Sequence, residues 1–573
     1  MELIGRIARV NGPLIEVEGL ERVAVLDVLE IGEDRLTAEV VAVRPGRATA
    51  QVYDYTGGLQ VGTPVTGCDR PLSARLGPGL LGRTFDGLLR PLDGAGSWLR
   101  PGGRSGPDRP VWHFEPAARP GPAVRPGDVI GVVPDRSGVE HRVLVPPTVS
   151  GPLEWVSPPC DLDDEQPVAR VGGKPLSLTE WWPVRRPRPH RSRLDLSVPL
   201  ITGQRVIDLL YPIAKGGTAA VPGGFGTGKT VLLQQIVKWS RADVIVFVGC
   251  GERGNELADA LADLADLEHP LTGRRLADRT VVIANTSNMP VMAREASIYT
   301  GMTVAEYYRD MGYDTVLLAD STSRWAEALR EFTSRSGELP VEEGFPAALA
   351  SALASFYERA GRVTTGSGRE GSITVIGAVS PPGGDVTEPV SAHTERFVRS
   401  LWTLDRDLAY ARHYPAITWR RSFSRDASNV AAWHARAGRV EWSEDRRRAI
   451  ALLAEADRLQ PMAELVGMTG LPDRERAVLF GAGLLRAAVL QQSATSPNDT
   501  TCGPDKQSTL LRSVLEVYGR AQSLIERGVS AEAVESVDVS PLARARNEVG
   551  ADDAAAVLVR AKSVLSSLEG LAG

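Results

Sequence analysis

The stretch Gly223-Gly224-Phe225-Gly226-Thr227-Gly228-Lys229-Thr230 fits the pattern G-x-x-x-x-G-K-[ST]. Its chemistry is phosphate binding. Glycines let successive backbone N–H groups turn inward around phosphate oxygens, and the helix that follows presents its positive end. In this pattern Lys229 reaches the β- and γ-phosphates of a nucleotide, and the Thr230 hydroxyl coordinates Mg²⁺. About 90 residues on, the apolar run Thr315–Asp320 ends in a carboxylate. At the C-terminal end of a strand beside the loop, Asp320 would hold Mg²⁺ through water. Gly251-Glu252-Arg253-Gly254-Asn255-Glu256 follows another apolar run, Val244–Gly249. There Glu252 could orient an attacking water or accept its proton. Arg253 and Arg324 could stabilise charge on a transferring phosphoryl group, with a surface ion pair as the alternative for each.

These residues need a scaffold that brings strand ends and a loop to one edge. From about 200 to 425, the runs Thr218–Val221, Val244–Gly249, Thr280–Asn285, Thr315–Asp320 and Ser372–Val379 alternate with helical stretches such as Thr230–Trp239, Asn255–Leu264 and Val304–Met311. Apolar runs without alternation, separated by helices, predict a parallel sheet buried on both faces. Residues 1–68 read instead as a small β-barrel of short strands at Ile4–Val10, Leu14–Val17, Ala24–Val28, Leu36–Val43 and Ala48–Val52. Residues 87–190 are rich in Gly and Pro, with β-like runs at Asp128–Val133 and Arg142–Pro146. They read as an inserted β-rich domain whose basic tail, Arg185 to Arg191, is a solvated connector; nucleic-acid binding is the lesser alternative, because no aromatic platform accompanies it. After 426 the strand signals stop, and Ser443–Leu459, Arg474–Gln491, Gln507–Glu526 and Asp552–Leu568 read as amphipathic helices. The expected organisation is a barrel over 1–68, an α/β phosphate-loop domain over 69–425 interrupted by the insertion at 87–190, and a helical domain over 426–573.

Composition narrows the function classes. The 573 residues carry a formal net charge of −6, which argues against a nucleic-acid binder. Of the 65 basic residues only six are lysines: Lys174, Lys215, Lys229, Lys238, Lys506 and Lys562. The four cysteines are widely spaced, which points away from a disulfide framework and fits a reducing cytosol. The seven histidines make no ligand spacing for a metal of their own. The first residues do not read as a signal peptide, and no apolar run approaches a membrane span.

The motifs together are similar to those of one family. Gly223–Thr230, Gly249–Glu256, Ala284–Pro290, Asp320–Glu327, Phe356–Arg362, Ser380–Asp385, Trp182–Pro189 and Leu200–Arg205 resemble the catalytic A subunit of V/A-type rotary ATPases. The resemblance runs essentially end to end and is dense from about 180 to 420. It implies an ATPase or ATP synthase that hydrolyses or makes ATP with Mg²⁺, coupled to proton or sodium movement. It implies an alternating ring of A and B subunits, central shaft and peripheral stalk subunits, and a membrane ion-translocating sector. The chain would sit in the cytoplasm, peripheral to the membrane. ATP, ADP and phosphate would be its ligands, with no nucleic acid. In such sites the counterparts of Lys229 and Thr230 handle phosphate and Mg²⁺, Glu252 positions water, Arg253 and Arg324 approach the phosphates, and the decisive arginine comes from the B subunit.

The resemblance also implies an adenine pocket. Tyr414-Pro415-Ala416-Ile417 matches its aromatic segment, so Tyr414 would stack on the base. The chain departs from the family at Thr501, where an aromatic is expected, and at Gly344-Phe345-Pro346-Ala347-Ala348. A secretion ATPase or helicase of the same fold is disfavoured by the insertion, and a non-catalytic ring member by the presence of both Lys229 and Glu252.

Overall fold

The computed structural model describes residues 3–20, 22–94, 110–135, 138–256, 258, 259, 262, 267, 268, 273–336 and 339–572. Much of the helix expected over Asn255–Leu264 lies outside them, as does part of the insertion. Two compact units emerge, one of Met1–Leu194, Ala242–Ser380 and Thr387–Phe397, the other of Asp195–Arg241, Pro381–Val386 and Val398–Gly573.

In the first unit, six strands close a barrel: β1 (Leu3–Asn11), β2 (Leu14–Glu18), β3 (Asp27–Ile31), β4 (Leu36–Arg44), β5 (Arg47–Val52) and β6 (Pro64–Pro71), in the order β1-β2-β5-β4-β3-β6. Ile7, Ile15, Val17, Leu29, Ile31, Val40, Val52 and Val65 fill it. The third strand begins later than the expected Ala24–Val28, because the Asp27 carboxylate accepts the Ala24 N–H at 2.8 Å and makes a turn of those residues. The sixth strand has no alternation to announce it, since Thr66-Gly67-Cys68-Asp69 offers no apolar face; it closes the barrel through backbone pairing with β1 and β3.

The insertion is a sandwich of two four-stranded antiparallel sheets. Val129–Val133 and His141–Leu144 match the expected strands, and Val111–Pro116, Gly151–Val156, Cys160–Asp163, Pro167–Val171 and Lys174–Ser177 are among those that join them. Phe114, Ile130, Val143, Leu153, Val168 and Val171 form its core.

The same unit holds a parallel sheet. Val244–Cys250 lies between Thr280–Asn285 and Asp314–Asp320, and the latter pairs with Glu370–Val379. Every residue of Val244–Cys250 and Thr280–Asn285 is buried, as continuous apolar runs demand of a sheet covered on both faces. The register sets Gly249 opposite Asp320 and Cys250 opposite Asn285, so these strands end at one edge.

The helix Val291–Asp310 packs on this sheet and is buried from Met292 onward. Only its last third, from Val304, was legible as a helix, because Arg294, Glu295, Thr300 and Thr303 break the apolar period. Those polar groups are buried because partners meet them. Arg359 binds Glu306 at 2.6 Å, Arg185 binds Glu295 at 2.6 Å, and Arg188 binds Asp310 at 2.7 Å. The basic segment 185–191 is thus no solvated connector along its length. Arg188 is 2% exposed and stacks on Trp182, and charge pairing against one helix overrides the open, polyproline-like reading.

In the second unit, the buried strand Thr218–Pro222 pairs in parallel with Ser400–Leu401 and leads into the helix Lys229–Trp239. The C-terminal part is helical throughout. Trp442–Val466, Asp473–Leu485, Pro504–Glu526 and Ala554–Glu569 bury Leu453, Leu459, Leu485, Leu510, Val514, Val564 and Leu568, and Ala531–Glu535 and Ser540–Glu548 are short helices the sequence did not announce. No helix of the described residues is long and apolar enough to cross a membrane.

Candidate functional site

The phosphate loop is built by its strand and its glycines. After Pro222 the chain turns through Gly226 and Gly228, whose φ angles of 77° and 83° suit a residue without Cβ. The Thr227 hydroxyl donates to the Gly224 carbonyl at 2.9 Å and closes the turn from within. Helix Lys229–Trp239 then begins with no acidic residue in its first turn, so its N-terminal N–H groups and dipole favour an anion. Lys229 Nζ lies 3.5 Å from the Gly223 carbonyl, over the loop. Thr230, next in line, is exposed on the first turn.

Tyr414 borders this loop. A Cβ at Gly228 would stand 3.2 Å from its ring, so loop and aromatic are in contact. Tyr414 is 42% exposed, which leaves its ring accessible for stacking. Its backbone is held from behind. The Tyr414 carbonyl accepts the Gln492 N–H at 2.7 Å, and the Gln492 side chain binds the Gly203 carbonyl and the Arg205 N–H. Arg205 is fully buried, with Asp499 at 2.6 Å and the carbonyls of Val489 and Gln491. Asp208 accepts four hydrogen bonds, from Thr202 N–H and hydroxyl, Gly203 N–H and Gln507. Burial raises its pKa and those bonds oppose the rise. Thr501 packs its hydroxyl against Gly203, where a Cβ would be 2.3 Å away.

Sequence reasoning missed one residue here. The Arg406 guanidinium lies on the loop, with Nε and Nη2 both 3.0 Å from where a Cβ of Gly224 would stand and Nη2 3.3 Å from the same point at Gly384. No carboxylate pairs with it among the described residues. Its only signal in the sequence is a charge beside Asp405, the cap of a short helix.

The other chemically suited residues stand in the first unit. Asp320 ends its strand 5% exposed, and the helix Thr322–Ser336 starts directly after it. Thr322 donates to the Ala378 carbonyl at 3.0 Å, and the Ser323 hydroxyl accepts the Ser380 N–H at 2.8 Å, tying this turn to the neighbouring strand. One strand over, Gly251 (φ 74°) carries the chain out of the sheet, and a Cβ there would meet Arg324 at 2.6 Å. The Glu252 carbonyl accepts the Ser287 N–H at 2.9 Å, which anchors the loop.

Arg324 lies over that loop and binds both oxygens of Glu327 at 2.9 Å. This hydrogen bond raises its pKa first, and the charges of Glu327, Glu252 and Glu256 add to the rise. Arg253 is 76% exposed on its side chain, 3.9 Å from Glu256. Each arginine thus has the surface ion-pair partner that its sequence context allowed. Arg294 is the second residue that sequence reasoning missed. Buried, it packs 3.3 Å from the Cβ position of Gly251 and donates to the Ser287 carbonyl at 3.1 Å, so it braces the Glu252 loop. Cys250, beside Arg294, has its thiol pushed up to about 12 by burial and is chemically inert at neutral pH. No cluster of three or more His, Cys, Asp or Glu suited to a metal occurs among the described residues.

The arrangement comprises a phosphate cradle with a cation and an open aromatic face in one unit. In the other, a strand-end carboxylate, a loop carboxylate and an arginine share one sheet edge. Comparison with known proteins bears on what such parts serve. Residues 203–424 match the model of the ATP synthase alpha/beta family, nucleotide-binding domain. Residues 7–68 match that family's beta-barrel domain, 107–185 the barrel-sandwich domain of ATP synthase alpha/beta subunits, and 431–534 the C-terminal domain of V and A type ATP synthase. The chain is 48% identical over 549 residues to the A subunit of the A-type ATP synthase from Hyperthermus butylicus, covering 93% of this chain and 91% of that protein. It is 49% identical to its counterpart from Thermococcus onnurineus, covering 94% of each, and 47% identical to that from Methanopyrus kandleri, covering 93% of each. Among solved structures, the assembled ATPase EscN of a type III secretion system from enteropathogenic E. coli superimposes with a TM-score of 0.63 at 24% identity, over 89% of this chain and 100% of that one, which speaks to the fold.

Proposed function

The chain belongs to the catalytic A subunits of A-type ATP synthases, and from that membership we propose how its own residues carry out ATP hydrolysis or synthesis. As one component of an ATP synthase it works within a complex. We assign it a place in an alternating ring with a B subunit, served by central shaft and peripheral stalk subunits and by a membrane sector that moves protons or sodium. The chain itself would be cytoplasmic and peripheral to that membrane. The barrel, phosphate-loop, inserted and helical domains would divide near residues 68, 87, 190 and 426.

The loop Gly223–Thr230 would hold the nucleotide phosphates through backbone N–H groups, with Lys229 between the β- and γ-phosphates. The adenine ring would stack on Tyr414, whose contact with Gly228 would set base and phosphates on one path. Arg406 would add a second cation at the loop. Thr230 and Asp320 supply hard oxygen donors of the kind Mg²⁺ takes, and the bound ion would neutralise charge on the phosphates. Glu252 would orient the attacking water and hold its proton, with its loop braced by Arg294. Arg324 and Arg253 would turn from their ion pairs toward the phosphoryl oxygens. A trans arginine of the partner would complete the site, a group worth roughly 10³–10⁵ in rate. The lone chain should therefore hydrolyse ATP poorly.

The observation that carries this reading is the phosphate loop with Tyr414 against it. The test is reconstitution with the B subunit, followed by measurement of Mg-ATP turnover for wild type, Lys229→Ala and Glu252→Gln. Wild-type turnover by Glu252→Gln would refute the role of Glu252, and full activity of the lone chain would refute the shared site.

A further inference from the structure

A second basic site lies in the first unit, apart from the residues assigned to the nucleotide chemistry. A cavity of about 280 Å³ is lined by Arg125, Arg188, His190, Arg191, Asp310 and Gly366, among others. Its walls come from the insertion, the segment 188–191, the end of helix Val291–Asp310 and the turn between Gly361–Thr364 and Glu370–Val379. The one acidic side chain in that set is already neutralised. Asp310 Oδ2 accepts from Arg188 at 2.7 Å, and Oδ1 accepts from Arg309 at 2.6 Å. Arg188 spends Nε on Asp310 and Nη2 on Glu180, and its buried Nη1 has no acceptor. That nitrogen is closed off from solvent, so the open cationic groups of the cavity are those of Arg125 and Arg191. Arg125 and Arg191 extend into solvent with no carboxylate partner among the described residues. His190 reports the same field: burial, then the nearby Arg309 and Arg193 cations, hold its pKa below the ordinary imidazole value.

We propose that this cavity binds a small tetrahedral oxyanion of the phosphate class, gripped by Arg125 and Arg191 beside the charge-paired Arg188. Guanidinium forks suit such an anion, and two of them, Arg125 on the insertion and Arg191 on the segment 188–191, would approach it from separate parts of the chain. The bound anion would tie the insertion to the segment 188–191. The inference does not depend on the proposed catalytic roles, because no residue is shared with them.

The experiment uses the full chain carrying Lys229→Ala, which weakens the phosphate loop and leaves the cavity intact. Inorganic phosphate is titrated calorimetrically, with sodium chloride at equal ionic strength, pyrophosphate and ADP as separate arms. One phosphate per chain is expected, weakened about tenfold or more by Arg125→Ala with Arg191→Ala and unchanged by Arg170→Ala, an exposed arginine outside the cavity. A phosphate-free melting midpoint close to that of the parent checks that the double variant folds; if it does not, Arg191→Ala alone must show the weakening. Equal binding with and without the two arginines would overturn the proposal. So would chloride acting as well as phosphate, which would mark a diffuse counterion cloud, or binding by ADP with none by phosphate.

Discussion

Lys229 and Lys506 are two of six lysines in a chain that writes nearly all its positive charge as arginine, and they hold that charge in opposite ways. Lys229 opens a helix at a glycine loop, where its ammonium lies over backbone shaped to receive phosphate. Lys506 is wholly buried in the helical part of the chain and donates to three carbonyls: Asn498 at 3.2 Å, Arg546 at 3.0 Å and Val549 at 2.8 Å. Three donors meet three acceptors. Arginine's five planar donors would leave some unmet, and the last carbonyls of helix Ser540–Glu548 favour a cation. One lysine is kept for a ligand and the other for the fold. They are also joined by backbone and side-chain bonds. Lys506 holds Asn498, the neighbouring Asp499 binds Arg205, Arg205 N–H binds Gln492, and Gln492 N–H holds Tyr414 against Gly228.

Substitutions can break this contrast, and the largest effect belongs to the phosphate loop. Lys229→Ala in the reconstituted complex should lower Mg-ATP turnover by about a hundredfold or more, while the thermal midpoint of the chain stays near wild type. A comparable loss of stability would place Lys229 with Lys506 as a structural residue. Lys506→Met should do the reverse. One buried and two partly buried carbonyls lose their donor, for a loss of about 2 kcal/mol in chemical denaturation of the chain. Lys506→Arg should not restore it, and unchanged stability in either variant would end the structural assignment.

Tyr414 sharpens the comparison, because it stands at the end of the bonded path from Lys506 and against Gly228 of the loop. Tyr414→Ala should raise the KM for ATP by about tenfold, since base stacking on an aromatic is worth roughly 1–3 kcal/mol, while Tyr414→Phe keeps the wild-type value. An unchanged KM in Tyr414→Ala would remove the base from this ring. The smallest effect is expected at Arg406, an exposed cation on the loop. Arg406→Ala should raise the KM for ATP by about threefold, in line with the weak contribution of exposed charges, and Arg406→Lys should recover most of it. A loss as large as that of Lys229→Ala would make Arg406 an equal partner in phosphate handling.

The phosphate loop was legible because its conformation is local. Glycines at 226 and 228 supply the positive φ angles, and the preceding strand and following helix are each marked by their own short pattern. The parallel strands were legible for a similar reason, as Val244–Cys250 and Thr280–Asn285 are apolar at almost every position. The first two thirds of helix Val291–Asp310 were not, and neither were the pairing of Arg185 and the burial of Arg188. Their charges read as solvent-facing until Glu295 and Asp310, more than a hundred residues away in the chain, come within 3 Å. Arg406 and Arg294 escaped notice because neither belongs to a motif; each matters through a glycine it touches.

The sequence by itself therefore determined the chemistry on offer: a phosphate cradle, a strand-end carboxylate, a loop glutamate, and the order of barrel, insertion, α/β core and helices. These follow from backbone preferences and from apolar periods that act over a few residues. Only the tertiary structure decided which charges are spent. It buries Arg188, Arg205 and Lys506 as internal braces, leaves Arg406 on the phosphate loop, and gathers Arg125, Arg188 and Arg191 around one cavity. Whether a cation is braced or open depends on which distant carboxylates and carbonyls reach it, and the pairing of distant chain segments, rather than any local pattern, sets that.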